Sequence, residues 1–300
     1  MTRRICAAFC GVFLLVKSVF CVAVDKYEFC RYNTAMKKVD RKKVVVVTGA
    51  SSGIGLAAAK MLKNLGYVVY GIARRNFEAD FPYYSADVTD ANRIKEIFGE
   101  IFAKEGALDA LVNNAGMGIS GAVEDLDPAA VQKQFDVNVV ALVCASSAAL
   151  PYLRKSGGKI INVGSVAGAV PIPYQACYSA SKAAVESFSR ALRSEVLPLG
   201  VDVTCVMPGD TKTGFTAARQ KFGEGANSAY KGKADKSVAK MEKDEKNGVP
   251  AEKVAKVICK MLKKRRLPVR KTVGISYKLL VGLAKILPSK FVDAIVRKLY

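Results

Sequence analysis

The sequence predicts an α/β domain built on a doubly wound parallel sheet, followed by an amphipathic helical extension at the carboxyl end. Two observations lead to this prediction. Short apolar runs alternate with longer amphipathic segments, without an internal repeat, as strands and helices do when helices cover both faces of a sheet. The short runs are also apolar at successive positions, which is typical of strands buried on both sides.

The first element is a run of four valines, Val44 to Val47, which is too short and too uniform for an amphipathic helix. Further strands are expected at Tyr67–Ala73, Tyr83–Ala86, Ala110–Asn113, Lys159–Val163, Asp202–Val206 and Pro268–Val273. Helices are expected between them at 53–65, 90–104, 128–153, 176–197 and 251–264. Any ligand is then expected at the carboxyl ends of the strands.

The last 26 residues, 275–300, form a basic amphipathic extension. Ser276 to Leu287 is mostly apolar, Pro288 interrupts this stretch, and Ser289 is placed to cap a final helix. One face of that helix is expected to carry Phe291, Val292, Ile295, Val296 and Leu299, and the other side Lys290, Arg297 and Lys298. Two interpretations stay open, a helix packed beside the binding cleft and a peripheral membrane contact.

The charge of the chain is concentrated at its two ends. The formal net charge is +21, yet residues 44–211 carry fourteen Lys and Arg against sixteen acids, whereas residues 231–300 carry twenty against six. The basic residues alternate with Leu, Ile and Val rather than with base-stacking side chains, so nucleic acid is not an expected partner. A membrane surface or a merely solvated basic surface fits this pattern better.

Residues 1–35 form a hydrophobic and basic leader or upstream extension. Ile5 to Val16 is apolar or small, Lys17 interrupts it, and the folded protein could begin at Met36. A dispensable extension, a membrane anchor and a cleaved signal all remain open. The sequence contains no Asn-x-Ser/Thr glycosylation site, which favours a cytoplasmic location, with membrane association left open.

The cysteines indicate a reducing compartment and no metal site. Cys6, Cys10, Cys21 and Cys30 lie in the leader, and Cys144, Cys177, Cys205 and Cys259 are scattered through the body. There is no CxxC pair and no histidine, so mixed Cys/His zinc sites are excluded. The four body cysteines are expected to be ordinary buried or half-buried thiols.

A glycine-rich turn follows the valine strand and opens the first helix. It reads Thr48-Gly49-Ala50-Ser51-Ser52-Gly53-Ile54-Gly55. Backbone amides at such a turn, together with the helix dipole, bind phosphate groups. A Walker loop is excluded because no Gly-Lys-Ser/Thr follows. The turn therefore predicts a dinucleotide site.

A chain without histidine must move protons with another side chain. Tyr178 and Lys182 are four residues apart in a predicted helix and so share one face. A free tyrosine has a pKa near 10, and we expect the Lys182 ammonium to favour its phenolate form. This pair is the strongest candidate for acid–base chemistry.

These motifs, taken together, resemble those of the short-chain dehydrogenase/reductase family. They occur in order as Thr48-Gly-x-x-x-Gly-x-Gly55, Asn113-Asn114-Ala115-Gly116, Ser165, Tyr178-x-x-x-Lys182 and Pro208-Gly209. The resemblance extends from about Lys42 to at least Ile258, and the glycine spacing is similar to that of the oxidoreductase subgroup rather than the extended epimerases. It implies a Rossmann fold as a single domain over 36–274.

The resemblance also implies roles for individual residues. Tyr178 is the expected acid or base, Lys182 a ligand of the nicotinamide ribose, Ser165 the group that holds the substrate oxygen, and Asn138 the holder of a relay water. The implied cofactor-binding residues are Gly49, Ser51, Ser52, Gly53, Ile54, Gly55, Arg74, Asp87, Val88, Asn114, Ala115, Gly116, Tyr178, Lys182, Pro208, Gly209, Thr211 and Thr213. A mobile substrate lid is expected at about 212–248. Homodimers or homotetramers are expected through the helices at 128–153 and 176–197.

The end of the second strand favours NADP(H) over NAD(H). An acid at this position selects NAD, and a basic residue accommodates the 2′-phosphate of NADP. The chain presents Ala73-Arg74-Arg75, and the next acid is Glu78. Arg74 is the expected phosphate ligand.

The sequence thus predicts an oxidoreductase that transfers a hydride between NADP(H) and a carbonyl or secondary alcohol. The apolar appendage suits a lipid, steroid, retinoid or fatty-acyl substrate. Two alternatives remain, a non-catalytic NADP(H) sensor and a membrane-associated scaffold.

Overall fold

The strands and helices of the protein alternate along most of the chain. The strands are β1 (Val44–Thr48), β2 (Val68–Ala73), β3 (Tyr83–Ser85), β4 (Ala110–Asn113), β5 (Ile119–Ser120), β6 (Lys159–Val163), β7 (Asp202–Met207), β8 (Thr211–Lys212), β9 (Gln220–Lys221), β10 (Val249–Pro250) and β11 (Arg270–Thr272). The helices are α1 (Gly53–Asn64), α2 (Ala91–Glu105), α3 (Pro128–Phe135), α4 (Ala141–Ser156), α5 (Ala176–Val196), α6 (Phe215–Ala218), α7 (Lys233–Lys246), α8 (Ala251–Lys263), α9 (Ile275–Ile286) and α10 (Ser289–Leu299).

The computed structural model describes residues 41–223, 229–230 and 232–300. The predicted leader at 1–35, with its four cysteines, lies outside these residues, as do 224–228 and 231 within the predicted lid. Lys42–Tyr300 forms one compact unit.

Seven strands form a parallel sheet in the order β11-β7-β6-β4-β1-β2-β3. The valines of β1 alternate between its two faces, so that Val44 and Val46 pack into one hydrophobic core and Val45 and Val47 into the other. All four are at most 2% exposed, which explains the uniformly apolar sequence. The predicted doubly wound sheet is confirmed.

Helices cover both faces of this sheet. Apolar residues of α2, α4 and α5 complete the core on one face, and those of α1 and α8 complete the core on the other. The strand order reverses at β1, whose neighbours are β2 and β4. This reversal opens a crevice at the carboxyl ends of the central strands, where such folds bind ligands.

The structure differs from the expected helices at three places. The helix expected at 128–153 is interrupted by a wider π turn at Asp136–Val140. A helix that was not expected, α7, lies within the expected lid and has few buried residues, and the mobility of the lid stays a prediction. Ser289 does not cap α10, because the N-cap position is Pro288 and no side chain bonds to the first turn.

One helical stretch of the described residues, Pro128–Ser156, is long and apolar enough to cross a membrane by length and composition. It packs against the sheet through Ala141, Ala145, Ala149 and Leu153. Because it covers the sheet, its apolar character is accounted for by the core of the domain.

Candidate active site

The glycine turn after β1 is too tight for any other residue at its key positions. Gly49 and Gly53 have φ angles of +67° and +53°, which favour glycine. A Cβ on Gly55 would lie 2.9 Å from the Gly49 carbonyl carbon and closer still to its oxygen. The turn therefore presents bare backbone at the entrance to the crevice.

The first turn of α1 offers its amides to this crevice. Ser52 is the N-cap residue with an extended backbone, and its side chain makes no capping hydrogen bond. The amides that follow, beginning with Gly53 and Ile54, have no partner within the helix. Ser51 lies in the same turn, so a phosphate can be bound by main-chain and hydroxyl donors together. This site fits the pyrophosphate of a dinucleotide.

A threonine that the motif contains, but that we did not predict as a site residue, ties two loops together. The hydroxyl oxygen of Thr48 accepts from the amides of Asn114 and Ala115 at 3.0 and 3.1 Å. The Asn114 side chain donates to the carbonyls of Thr48 and Gly49 at 3.1 and 3.2 Å. The glycine turn and the segment Asn114 to Gly116 are thus held side by side.

The loop after β7 closes the other side of the crevice. The Pro208 carbonyl accepts from the Val166 amide at 2.9 Å, and the Thr211 hydroxyl donates to the Gly209 carbonyl at 2.8 Å. A Cβ on Gly53 would lie 3.3 Å from Thr213. The glycine turn and the loop from Pro208 to Thr213 therefore face each other, and a bound dinucleotide would lie between them.

Arg74 lies directly beyond β2, on the rim of the crevice. Its side chain is 60% exposed, and Nη1 is 3.8 Å from a carboxylate oxygen of Asp87. Burial raises the pKa of Asp87, but hydrogen bonds from Thr89 and the charge of Arg74 outweigh this, so the pKa is lowered overall. Asp87 therefore stays charged, and neighbouring Val88 is 8% exposed.

Lys182 is buried beneath Tyr178 on α5. It is 6% exposed, its ammonium donates to the Val163 carbonyl at 3.0 Å, and Nζ lies 5.9 Å from the centre of the Tyr178 ring. Burial lowers the pKa of Lys182 to about 8. The ammonium is thus held close to its titration point near neutral pH.

The pKa of Tyr178 moves opposite to our expectation that Lys182 would favour phenolate. Burial and, to a smaller extent, the charge of Glu245 raise it to about 12, although a hydrogen bond with Ser165 and the charge of Arg219 lower it. The cofactor-free site therefore favours the neutral phenol.

Asn138 is brought to the same place by the π turn. It is 1% exposed. Its amide donates to the Met117 carbonyl at 2.9 Å and to the Ser181 hydroxyl at 3.0 Å, and its oxygen accepts from the Met117 amide at 2.8 Å. A Cβ on Gly116 would lie 3.2 Å from this oxygen and 3.6 Å from Nζ of Lys182. Asn138 and Lys182 thus border one small space.

Ser165 follows β6 and caps a single 3-10 turn, Val166–Gly168, with its side chain accepting from the Ala167 amide at 3.1 Å. This turn presses on α5, because a Cβ on Gly168 would lie 2.7 Å from the Lys182 carbonyl carbon. The fold therefore brings Ser165, Tyr178, Lys182 and Asn138 together from three separate elements.

Phe215 of α6 covers Tyr178 from the lid side, and the sequence did not reveal this contact. The two ring centres are 5.7 Å apart, and a Cβ on Gly118 would lie 2.8 Å from the Phe215 ring. An apolar ring therefore borders the Tyr178 ring on the side of α6.

A buried ion pair holds this part of the lid. The Arg219 side chain is fully buried and pairs with Glu245 of α7, which also accepts from the Thr216 hydroxyl at 2.6 Å. With its amide oxygen turned toward the guanidinium, Gln175 accepts from Nε of Arg219 at 3.2 Å. These partners are far apart in sequence, so no local pattern could have indicated them.

The described cysteines form no disulfide. Cys205 and Cys259 are buried, Cys144 and Cys177 are half-buried, and all four are free thiols. Burial raises the pKa of Cys205 to about 12 and that of Cys259 to about 11. Within the described part of the chain, no three acidic or cysteine side chains cluster as metal ligands do.

A cavity of about 370 Å³ lies beside the site, between β5, β9 and α7. It is lined by Ser120, Phe222, Ala234, Val238 and neighbouring residues. Tyr178, Lys182, Asn138 and Ser165 are not part of its lining. The candidate chemistry thus belongs to the narrower crevice above the sheet.

The crevice, the glycine turn and the half-buried Tyr178 beside buried Lys182 define a dinucleotide-binding oxidoreductase with a Rossmann fold. The family profile described as short chain dehydrogenase matches residues 43–223. The chain belongs to the short-chain dehydrogenase/reductase family, and it is an oxidoreductase of that type.

The chain is similar to two characterised relatives and one solved structure. The chain is 39% identical over 263 residues to a 3-ketodihydrosphingosine reductase of Bacteroides thetaiotaomicron, covering 86% of this chain and 97% of that protein. It is 36% identical over 190 residues to an NADPH-dependent 1-acyldihydroxyacetone phosphate reductase of Saccharomyces cerevisiae, covering 59% and 64% of the two chains. A short-chain dehydrogenase structure from Streptomyces avermitilis matches with a TM-score of 0.72 and 28% identity, covering 87% and 96%. Enzymes of this family bind NAD(P)(H) and act on small molecules.

Proposed function

We propose that the protein is an NADP(H)-dependent reductase of apolar, lipid-type carbonyl compounds. The observation that carries this proposal is that the fold places Tyr178 beside Lys182, Asn138 and Ser165 at the carboxyl ends of the central strands.

The hydroxyls of Ser165 and Tyr178 hold the substrate carbonyl oxygen. When bound, the cofactor supplies a hydride to the carbonyl carbon. Tyr178 gives its proton to the carbonyl oxygen, so the carbonyl gains one hydride and one proton and becomes an alcohol. The buried Lys182 ammonium stabilises the tyrosinate that is left, and Asn138 orients the water through which Tyr178 is protonated again.

Arg74 supports NADP(H) as the cofactor. Its guanidinium lies beyond β2 and is well exposed, so it can approach a 2′-phosphate and bind it with two hydrogen bonds. Asp87 is 3.8 Å from Arg74 and helps to orient it. The NADPH dependence in the name of the yeast relative agrees with this assignment.

The names of two relatives support a lipid substrate. One acts on 3-ketodihydrosphingosine and the other on 1-acyldihydroxyacetone phosphate, and both names describe a ketone attached to a long apolar group. In this chain Phe215 lies 5.7 Å from Tyr178, ring centre to ring centre, so one large apolar side chain borders the site. The homodimer or homotetramer expected from the family stays a prediction.

The test is a panel of carbonyl compounds followed at the nicotinamide absorbance with NADPH and with NADH. The panel contains 3-ketodihydrosphingosine, an acyldihydroxyacetone phosphate, a steroid ketone, a retinal and a short polar ketone. We expect turnover of a long-chain ketone with NADPH preferred. Turnover limited to the polar ketone would refute the substrate class, and an NADH preference would refute the cofactor.

The matched variants are Tyr178→Phe and Tyr152→Phe. Tyr152 stacks on Phe102 of α2, away from the crevice. Removing the Tyr178 hydroxyl is expected to lower kcat by about 10²- to 10⁴-fold, the range for a general acid, while Tyr152→Phe keeps full activity. If the wild type binds NADPH but turns over no carbonyl or alcohol, the protein is a sensor rather than an enzyme.

A further inference from the structure

The two C-terminal helices, α9 and α10, have two apolar faces rather than one. Their inner face packs on the segment that follows Ser165, where Val281 and Val296 join Val166 and Val170 in a small hydrophobic cluster. Tyr277, Leu280, Ala284, Val292 and Tyr300 extend this contact. The helix pair is thus attached to the domain by its inner face alone.

The second face points to solvent, and we call it the outer apolar face. In α9 it carries Ile275, Leu279, Leu283 and Ile286, spaced at i, i+4, i+8 and i+11 along one side of the helix. Their exposed fractions are 82%, 63%, 53% and 82%. Exposed side chains of this size, placed together, mark an interaction surface.

The face continues through the turn into α10. It includes Leu287 at 38%, Phe291 at 64%, Ile295 at 47% and Leu299 at 48% exposure. We had expected Val292 and Val296 on the same side of α10. They lie instead on the inner cluster, so the apolar stripe is divided between the domain and the solvent.

Exposed basic side chains surround the outer apolar face. They are Lys278, Lys285, Lys290, Arg297 and Lys298, and the single acid of the segment 275–300 is Asp293. An apolar centre with a basic border matches the interface of an anionic bilayer, where acyl chains lie below and phosphate groups lie above.

We propose that the outer apolar face docks the protein peripherally on an anionic lipid bilayer. A second copy of the chain fits this surface less well, because a twofold contact between two such faces would place two sets of lysines and arginines against each other. Helices lying in the interface plane with their apolar side in the acyl region satisfy both the apolar residues and the basic border.

Docking through the outer apolar face would also place the candidate active site near the lipid. Tyr277 packs on the loop after β7, since a Cβ on Gly209 would lie 2.5 Å from its ring Cζ, and its hydroxyl donates to the Asp210 carboxylate. The inner cluster includes Val166, the residue directly after Ser165. The helix pair therefore connects the membrane face to the candidate active site, although docking itself does not depend on the proposed reaction.

The first test uses a single fluorescent reporter. The chain contains no tryptophan, so Phe291→Trp in the full-length protein reports on the outer apolar face alone, whatever residues 1–35 do. The control is Leu199→Trp, at a 51% exposed apolar position in the turn after α5. Emission is measured with vesicles of phosphatidylcholine, with and without phosphatidylglycerol, and with lipids brominated in the acyl chain.

We expect vesicles containing phosphatidylglycerol to shift the Phe291→Trp emission to the blue and brominated lipids to quench it, with Leu199→Trp unaffected. Equal quenching of the two variants, or none in either, would overturn the proposal. A blue shift that depends on protein concentration without lipid would also overturn it, because it would assign the face to a second copy.

The second test measures vesicle flotation of the same full-length chain with altered faces. Ile286→Glu combined with Phe291→Glu is expected to weaken binding by at least about tenfold, while Val123→Glu, at a 65% exposed valine in the domain, leaves it unchanged. Binding that both variants retain equally would contradict the assignment. NADPH binding measured in parallel shows that each variant is folded.

The basic border is tested separately. Lys285→Gln and Lys290→Gln are each expected to weaken binding to vesicles containing phosphatidylglycerol by about fivefold, an effect that added salt removes. Lys60→Gln, at an exposed position of α1, is the control. If all three variants lose affinity for the vesicles equally, the net charge of the protein causes the binding, and the outer apolar face is not the docking surface.

Discussion

Replacing Lys182 by methionine should change how the stability of the protein depends on pH. The ammonium of Lys182 is buried, at 6% exposure, and its one hydrogen bond in the structure goes to the Val163 carbonyl at 3.0 Å. Burial of a charge in this environment disfavours the charged form. Lys182→Met removes the charge and keeps most of the side-chain volume.

The size of the effect follows from the shift in pKa. Folding lowers the pKa of Lys182 from its ordinary 10.5 to about 8, and each unit corresponds to about 1.4 kcal/mol. Charged Lys182 therefore destabilises the folded state by roughly 3 kcal/mol. Below the folded pKa both states are protonated and the cost is fully present. As the pH rises from about 8 toward about 10.5 the unfolded state binds more protons, so the cost is relieved and stability rises.

The assay is urea unfolding of the wild type and Lys182→Met without cofactor, at about pH 7 and about pH 9.5. The free energy of unfolding of the wild type should rise by about 2 kcal/mol relative to the variant over this interval. Loss of the hydrogen bond to Val163 shifts the stability of the variant by an amount that does not vary with pH. The test is therefore how the stability difference between the two proteins changes with pH, not its value at one pH. Lys95→Met, on the exposed side of α2, is the matched control and should follow the wild type. A wild-type minus Lys182→Met difference that is constant with pH would refute a buried, destabilised ammonium.

Three further perturbations test other parts of the site. Arg74→Ala should raise the KM for NADPH by about tenfold, the lower end for an exposed charged hydrogen bond, and leave the KM for NADH unchanged. An equal effect of Arg75→Ala would contradict the assignment of Arg74, rather than Arg75, as the phosphate ligand. Gly55→Ala would place a Cβ against a carbonyl of the glycine turn and should lower NADPH affinity by about a hundredfold in a fluorescence titration; Gly282→Ala, with nothing within 4 Å, should bind normally. Arg219→Met leaves a buried carboxylate without its partner and should destabilise the lid by about 3 kcal/mol, so that trypsin cleaves α7 faster than in the wild type; unchanged cleavage would show that the ion pair does not hold the lid.

The strands and the glycine turn could be predicted because their causes are local. Ala110–Asn113 and Lys159–Val163 have the predicted bounds, since a short apolar run buried on both faces is visible in the residues themselves. The positive φ of Gly49 and Gly53 likewise comes from a turn that few other residues can form.

Helix α7 and the π turn could not be predicted in the same way. Only Ser237, Val238 and Met241 of α7 are buried, so its apolar signal is weak, and its Glu245 pairs with Arg219, which lies outside the helix. The π turn depends on Asn138 reaching the main chain of Met117, a partner in another segment.

The sequence by itself determined the fold class, the dinucleotide turn and the identity of the acid–base candidates, because each depends on residues within one or two turns of the chain. The tertiary structure decided how those candidates behave. Burial, which depends on every packed element, raises the pKa of Tyr178, against the expectation from its spacing to Lys182, and lowers the pKa of Lys182. The tertiary structure also decided that one side of α10 packs on Val166 while Phe291 faces solvent. The apolar stripe of this helix is wide, and the domain covers only one edge of it.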